Sequence, residues 1–333
     1  MRAILIHRFL PALIVLVIAL AISPIVLGSP LLLDNAIIIA VFSLLALSAG
    51  MSYGQAGILS IAPAAFGAIG AYSTSIVTIR YGLSPLVGLV LALALPMLVA
   101  YPMARVISRL SPMPLSIATL LLSMLLELAI RGGGQFTGGY NGLSGVPPLS
   151  FAPGAEGMYA LAWGLVVVVV LIYANVTDSA IGRAVKTARH DPLRATADGV
   201  NVPALLASYF AMSASIAGLA GWLYAHYMSY IGPDSLTLHV SINVVLMAVI
   251  GGAGTLLGPI LGAAFLASIT QFLPARGTQG MFFGSALILV LLIAPNGALG
   301  TDWRKFFSRS RIGQRPAAPV AKVAKVEKQG GRA

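Results

Sequence analysis

Long apolar runs separated by short polar segments dominate the chain. A membrane-spanning helix needs about 20 mostly apolar residues, and ten runs approach or reach that length. They are residues 9–28, 32–51, 64–79, 83–103, 114–130, 158–176, 204–229, 239–251, 255–273 and 280–299. Two of them, 64–79 and 239–251, are short, which predicts tilted, broken or re-entrant helices and a total of eight to ten spans. The pattern predicts an all-α fold, a polytopic membrane helical bundle.

Composition narrows the class of protein further. Charged residues make up 9% of the chain and hydrophobic residues 58%, whereas soluble domains carry roughly 25% charged residues. So few charges cannot cover the surface of a soluble enzyme, and so much apolar sequence excludes a disordered chain. The chain has no cysteine, so it can form neither a disulfide nor a thiolate metal site.

The net charge of +11 is distributed as a topology signal rather than as a nucleic-acid patch. Nine of the 20 Lys and Arg residues lie between Arg304 and Arg332, and most others flank apolar runs. Basic residues concentrate on the cytoplasmic side of membrane proteins. We therefore expect both termini in the cytoplasm, an even number of spans, and no nucleic-acid partner.

The same reasoning divides the chain into regions. Residues 1–300 form the predicted transmembrane domain, with an external segment at 131–157 and a cytoplasmic loop at 177–203. The basic tail 301–333 is expected to be disordered and to lie on anionic lipid. The first apolar run is longer than the core of a signal peptide, so we expect it to be retained.

The sequence lacks the motifs of several kinds of catalytic site. The chain has no phosphate-binding G-x-x-x-x-G-K-[ST] loop, so we expect no ATPase site and no cofactor of its own. Its four histidines lack metal-ligand spacing. Glu127 is the carboxylate expected inside a span, and Arg131 four residues later predicts a helix-end ion pair. An ion-driven carrier would need more buried charge.

Two glycine-rich stretches are the sequence feature that most strongly indicates a transport path. Gly54–Gly57 leads through Pro63 into a short apolar run, and Gly252–Gly254 leads through Pro259 into another. Paired broken segments are typical of a transporter repeat and its central path, which predicts an inverted repeat. Close helix packing explains glycine equally well, as at the small-xxx-small pairs Ala214/Gly218, Ala217/Gly221 and Gly258/Gly262.

The cytoplasmic loop is predicted to hold one short amphipathic helix between Asp178 and Asn201. Small residues such as Ala195 and Ala197 form one side, and Gly199 is placed to end the helix in the left-handed conformation. The basic side consists of Arg183, Lys186, Arg189 and Arg194. Such a helix suits docking into a cleft of a partner, although a simple connector between spans would have a similar pattern.

Longer stretches of this sequence resemble the branched-chain amino acid permease family. In and after the loop they are Gly182–Lys186, Arg194–Val202, Ala217–Gly221, Leu223–Tyr227, Gly232–Ser235 and Val249–Pro259. Upstream they are Tyr53–Gly57, Ala64–Gly67 and Gly70–Tyr72, and Thr137–Pro147 is similar to the LivM-type subunit. The resemblance covers about residues 35–300.

The resemblance implies one permease subunit of an importer in the bacterial inner membrane. Its partners would be a LivH-like permease subunit, two ATP-binding cassette subunits that hydrolyse ATP, and a periplasmic solute-binding protein. The loop residues named above would couple to the ATPases. The translocation path would involve Gln55, Gly57, Ser60, Asn243, Gly252 and Gly254, and the binding protein would face Tyr140, Asn141 and Ser144.

The solute and the energy source remain open at this stage. The family resemblance is compatible with branched-chain amino acids and with urea, amides or aromatic acids. An ion-coupled secondary transporter and a membrane scaffold or enzyme subunit without transport are the alternatives from other classes.

Overall fold

The computed structural model describes residues 2–107 and 112–272, together with residues 284, 285, 292, 297 and 299. Within these residues the chain is almost entirely helical. The helices are α1 Arg2–Leu27, α2 Pro30–Ala49, α3 Pro63–Tyr81, α4 Pro85–Ile107, α5 Pro112–Gly132, α6 Gly134–Thr137, α7 Gly154–Asp178, α8 Ala180–His190, α9 Pro192–Ala197, α10 Val202–Met228, α11 Leu238–Gly251 and α12 Gly258–Phe272. A π-helical segment Gly50–Gln55 extends α2, and a 3-10 turn covers Gly139–Asn141. Two short strands, β1 Leu143–Ser144 and β2 Tyr230–Ile231, complete the described part.

The predicted polytopic helical bundle is confirmed. Six helices in the described ranges are long and apolar enough to cross a membrane: Phe9–Leu27, Pro30–Gln55, Pro85–Val106, Pro114–Gly132, Gly154–Asp178 and Val202–Met228. The two runs predicted to be short are helices α3 and α11. The tenth predicted span, 280–299, falls mostly outside the described residues, and so does the whole tail 301–333.

Proline and side-chain caps explain where several helices begin. Pro30, Pro63 and Pro192 each occupy the first turn of a helix, where the missing N–H costs nothing and the fixed φ suits the helix. Asn201 caps α10 by accepting a hydrogen bond from the Ala204 N–H at 3.2 Å. The predicted starts of α2, α3 and α10, at residues 32, 64 and 204, lie close to the observed starts at Pro30, Pro63 and Val202.

Helices α3, α4 and α10 pack closely at the centre of the bundle through glycine. A Cβ placed on Gly218 would lie 1.9 Å from the Ala92 carbonyl oxygen, and one on Gly221 would lie 1.8 Å from that of Gly67. The backbones therefore touch where a side chain would normally separate them. The predicted small-residue packing face of α10 is confirmed.

The bundle has two ends, which we call the 131–157 end and the α8–α9 end after the segments found there. At the 131–157 end, β1 pairs antiparallel with β2, with Leu143 opposite Ile231 and Ser144 opposite Tyr230. This pairing ties the segment between α5 and α7 to the residues that precede α11.

The prediction of one helix between Asp178 and Asn201 is wrong. The segment forms two helices, α8 and α9, which meet at Asp191 and Pro192. Asp191 is extended at φ −146° and accepts a hydrogen bond from the Arg194 N–H at 3.0 Å, so it caps α9. Pro192 cannot donate to the preceding turn, and it disfavours helical backbone at the residue before it.

Candidate functional site

The two glycine-rich breaks lie in direct contact at the α8–α9 end. A Cβ on Gly54 would lie 1.7 Å from the Ala253 carbonyl oxygen, and one on Gly50 would lie 2.5 Å from Pro259 Cγ. Gln55 Nε2 donates to the Gly254 carbonyl oxygen at 3.3 Å. We call the first break residues 50–62 and the second break residues 252–257. The structure thus joins two segments that are about 200 residues apart in sequence.

The first break leaves the helical path in two steps. The π-helical segment Gly50–Gln55 comes first, and Gly57 then turns the chain at φ +71°. Beyond it, residues 58–62 are non-helical and run beside α5. A π-helical turn inside a longer helix is frequently found at a functional site.

Hydroxyl groups on α5 satisfy the exposed backbone of this non-helical stretch. Thr119 Oγ1 accepts from the Ile61 N–H at 3.0 Å. Ser116 Oγ donates to the Leu59 carbonyl oxygen at 2.7 Å, and Ser123 Oγ donates to that of Ile61 at 3.0 Å. Unpaired backbone groups are costly inside a membrane, and irregular backbone is tolerated there only where protein or water satisfies it. The broken segment is therefore supported by the surrounding bundle.

Helices α3 and α11 begin side by side and run toward opposite ends of the bundle. The Ala64 N–H in the first turn of α3 donates to Ser241 Oγ in the first turn of α11 at 3.1 Å. Helix α3 ends near the 131–157 end, where the Arg80 guanidinium lies 5.5 Å from the Phe136 ring centroid. Helix α11 ends at the second break. The inverted repeat itself stays a prediction.

The predicted path residues separate into two groups. Gln55, Gly57, Gly252 and Gly254 all belong to the contacting breaks, and Gly252 has the left-handed φ of +108°. Ser60 is buried in the non-helical stretch, where its Oγ accepts from the Ala62 N–H at 3.3 Å. Asn243 is half-buried on α11, and nine residues of helix, about 13 Å of rise, separate it from Gly252.

The helix pair α8–α9 has a defined start and a defined end. Ser179 Oγ accepts from the Gly182 N–H at 3.3 Å at its start. At its end, the Gly199 N–H donates to the Thr196 carbonyl and the Val200 N–H donates to the Ala195 carbonyl, both at 3.0 Å. With φ at +82° on Gly199, this is a Schellman cap, so the predicted left-handed glycine is confirmed. Ala195 is buried and Ala197 is exposed.

Two of the predicted basic residues meet in one groove. Lys186 and Arg194 line a polar groove of about 370 Å³. Its other lining residues are Thr187, His190, Asp191 and Asp198. Arg183 takes a different direction and donates to the Asp178 carbonyl oxygen at 3.0 Å. The groove lies on the exposed surface of this helix pair.

Arg189 is turned toward the first break instead of the groove. Its guanidinium Nη1 donates to the Gly54 carbonyl oxygen. Its side-chain Cγ lies 3.1 Å from the position of a Cβ on Gly57. The sequence predicts Arg183, Lys186, Arg189 and Arg194 on one basic side, whereas the structure brings Lys186 and Arg194 together in the groove and turns Arg183 and Arg189 elsewhere.

A group of buried hydroxyls beside Gln55 and Arg189 was missed by sequence reasoning. Tyr173 is 0% exposed, Thr177 7% and Tyr209 3%. Tyr173 lies beside Gln55 and Arg189, and Tyr209 lies beside Thr177, each pair near hydrogen-bond range. Among the described residues, none of the three hydroxyls has a partner in hydrogen-bond geometry. Tyr173 and Thr177 are four residues apart on α7, a spacing that places them on one face and was visible in the sequence.

The three residues expected to face a binding protein lie together at the 131–157 end. Tyr140 is 74% exposed, and the Arg131 guanidinium lies 5.6 Å from its ring centroid. Tyr230 Oη donates to the Asn141 carbonyl oxygen at 3.2 Å, and Ser144 is paired with Tyr230 in the strands. They form one exposed surface connected to β2.

Two carboxylates in the described spanning helices, Glu127 and Asp34, have partners near helix ends. Glu127 Oε1 lies 2.9 Å from Arg131 Nη2, which confirms the predicted ion pair, and Arg131 also contacts Asp234 at 2.7 Å. Asp34, which the sequence analysis overlooked, lies near the start of α2 and accepts from Tyr227 Oη at 2.6 Å.

Comparison with known proteins supplies the family context. The model of a family described as branched-chain amino acid transport system / permease component matches residues 31–294. The high-affinity branched-chain amino acid transport system permease proteins LivM of Salmonella typhimurium and Escherichia coli are each 28% identical over 299 residues, which cover 80% of this chain and 69% of the relative. The probable branched-chain amino acid transport permease protein LivH of Methanocaldococcus jannaschii is 26% identical over 309 residues, 84% of this chain and 95% of the relative. No solved structure matches the chain significantly.

Proposed function

The chain belongs to the branched-chain amino acid transport permease family, and from this membership we propose that it is one permease subunit of an ATP-driven importer. Branched-chain amino acids or related small solutes, such as urea, amides or aromatic acids, would be its cargo. The chain is a multi-pass membrane protein. We place it in the bacterial inner membrane with both termini in the cytoplasm, on the basis of its Lys and Arg distribution.

The observation that carries this proposal is the position of the helix pair α8–α9. It connects two spanning helices, α7 and α10, and presents an exposed groove lined by Lys186 and Arg194. The same pair reaches the first break through Arg189. A partner seated in the groove would therefore act on a segment of irregular backbone inside the bundle.

The partner subunits of the proposed assembly supply the phosphate-binding loop that is absent from the sequence of this chain. Two ATP-binding cassette subunits would bind and hydrolyse ATP at the α8–α9 end, and this chain would hold no cofactor. A LivH-type permease would complete the passage. A periplasmic binding protein would deliver solute to the surface formed by Tyr140, Asn141 and Ser144.

The alternative of an ion-coupled carrier finds little support in the described spans. Such carriers use ionisable groups inside the membrane to bind or relay the coupling ion. Here the carboxylates of Glu127 and Asp34 lie near helix ends and already have partners, Arg131 and Tyr227.

Affinity purification of the full chain from its native membrane tests the proposal. We expect a second permease and two ATP-binding cassette subunits to co-purify. ATPase activity should appear in that complex and be absent from the chain purified free of them. A purified chain that hydrolyses ATP unaided, or one that transports solute without these partners, would contradict the proposal.

A further inference from the structure

Arg189 makes the only described side-chain hydrogen bond from the helix pair α8–α9 to the first break. The residue is on the last turn of α8, and its guanidinium donates to the carbonyl oxygen of Gly54. Its aliphatic stem covers Gly57, which lacks a side chain and has a positive φ. The contact therefore fixes two points of the break, one on each side of Gln55.

The first break transmits this restraint directly to the second. Gly54 touches the Ala253 carbonyl so closely that a Cβ would lie 1.7 Å away, and Gln55 Nε2 donates to the Gly254 carbonyl oxygen at 3.3 Å. Packed contacts of this kind do not stretch gradually, because close-packed interiors switch between discrete arrangements. Moving Gly54 must either carry the second break with it or separate the two.

Unpartnered hydroxyls beside the contact offer the break a second arrangement. Tyr173, Thr177 and Tyr209 are buried, and in the described part of the chain their hydroxyls lack hydrogen-bond partners. A buried polar group without a partner is unfavourable. Of the three, Tyr173 lies beside Gln55 and Arg189, so its hydroxyl can take over a hydrogen bond of Gln55 when the first break moves toward α7.

We propose that Arg189 is a positioning residue that holds the two glycine-rich breaks together and releases them when the helix pair α8–α9 is displaced. In the arrangement seen here the Gly54 carbonyl is held and the two breaks are in contact. Displacement of α8 withdraws the guanidinium, and the breaks then separate. The link to ATPase motion rests on the proposed function, whereas the restraint on the breaks does not.

The restraint can be measured in the full-length chain, which has no cysteine of its own. Ala56, which is 5% exposed within the first break, is replaced by cysteine as a reporter. Labelling by a membrane-impermeant maleimide is followed in inside-out vesicles, which present the cytoplasmic side. We expect Arg189→Gln to raise the labelling rate about tenfold, because a hydrogen bond to a charged group shifts an opening equilibrium by roughly that factor or more.

Two matched controls separate a local restraint from general loosening. Arg105→Gln removes another arginine, whose Nη1 donates to Asn201 Oδ1 at 3.2 Å on the exposed surface, and it should leave labelling of the Ala56→Cys reporter unchanged. A second reporter, Ala100→Cys, is fully buried in α4 and should stay unlabelled in the Arg189→Gln chain. Unchanged Ala56→Cys labelling, or an equal rise at both reporters, would overturn the proposal.

A second readout connects the restraint to transport. In the reconstituted complex, Arg189→Gln should keep ATP hydrolysis and lower the amount of solute moved per ATP by about tenfold. A normal ratio in this variant would refute the role of Arg189. If the unaltered complex itself shows no ATP-driven uptake, the proposed function fails, and the labelling experiment still decides whether Arg189 restrains the breaks.

Discussion

At the scale of single residues, glycine sets the distances between helices in the centre of this bundle. The backbones of α3, α4 and α10 approach so closely that a methyl group on Gly218 or Gly221 would overlap a neighbouring carbonyl. Gly164 on α7 is different, because in the described part of the chain no atom from outside its own helical turn lies within 4 Å of its Cβ position. The same residue type is thus required at one site and replaceable at another.

This contrast gives a matched pair of alanine substitutions. Gly221→Ala should lower the free energy of unfolding by about 1–3 kcal/mol, the usual cost of overpacking. Gly164→Ala should leave it unchanged or raise it by up to about 1 kcal/mol, because alanine favours the helix more than glycine does. Thermal unfolding of the two variants in the same detergent measures the difference. Equal midpoints would show that close backbone contact at Gly221 does not stabilise the bundle.

Residue patterns predicted contacts within one helical turn better than they predicted where a long side chain points. The Glu127–Arg131 ion pair and the left-handed Gly199 followed from spacing within one turn or one cap. Arg189 did not, because the spacing of basic residues on α8 does not show that a glycine-lined recess lies beside one of them. The recess is created by Gly54 and Gly57, which are more than 130 residues away in sequence.

At the scale of helices and strands, the apolar runs predicted the long helices α1–α5, α7 and α10–α12. The incorrect prediction, one helix where α8 and α9 lie, could have been avoided from a signal in the sequence. Small and basic positions repeat at helical spacing across the run 178–201, which predicts one continuous helix. Asp191 and Pro192 form a helix-start pair inside that run, an N-cap followed by proline. A local capping signal overrode the longer pattern because proline removes a donor that the continuous helix needs.

The end of the helix pair provides a test at this scale. Gly199→Val should impair solute-stimulated ATPase activity of the complex, because a β-branched residue is strongly disfavoured at a positive φ. Gly199→Asn is the matched control, since asparagine tolerates the left-handed region and should retain most of the activity. Among the described residues, none beyond the adjacent backbone comes within 4 Å of the Cβ position at Gly199, so the difference reports backbone strain and not a clash. Equal activity of the two variants would show that the Schellman cap does not matter for coupling.

At the scale of the whole molecule, the contacts that assemble the site lie beyond what periodicity can predict. The sequence pointed to both glycine-rich breaks, but their contact through Gly54 and Ala253 depends on how α2, α11 and α12 pack. The pairing of β1 with β2 likewise joins segments separated by two spanning helices. Such pairings follow from the shape of the complete bundle, in which each apolar face has several neighbours it could match.

The measurement that tests the central claim most directly is solute uptake by the purified complex in proteoliposomes. Leucine, phenylalanine, urea and acetamide, each radiolabelled, are offered with the binding protein on one side and ATP on the other. The account predicts that at least one of them accumulates only when ATP is present, and that ionophores that collapse ion gradients leave the uptake intact. Uptake that follows an imposed ion gradient without ATP, carried out by this chain alone, would contradict the account.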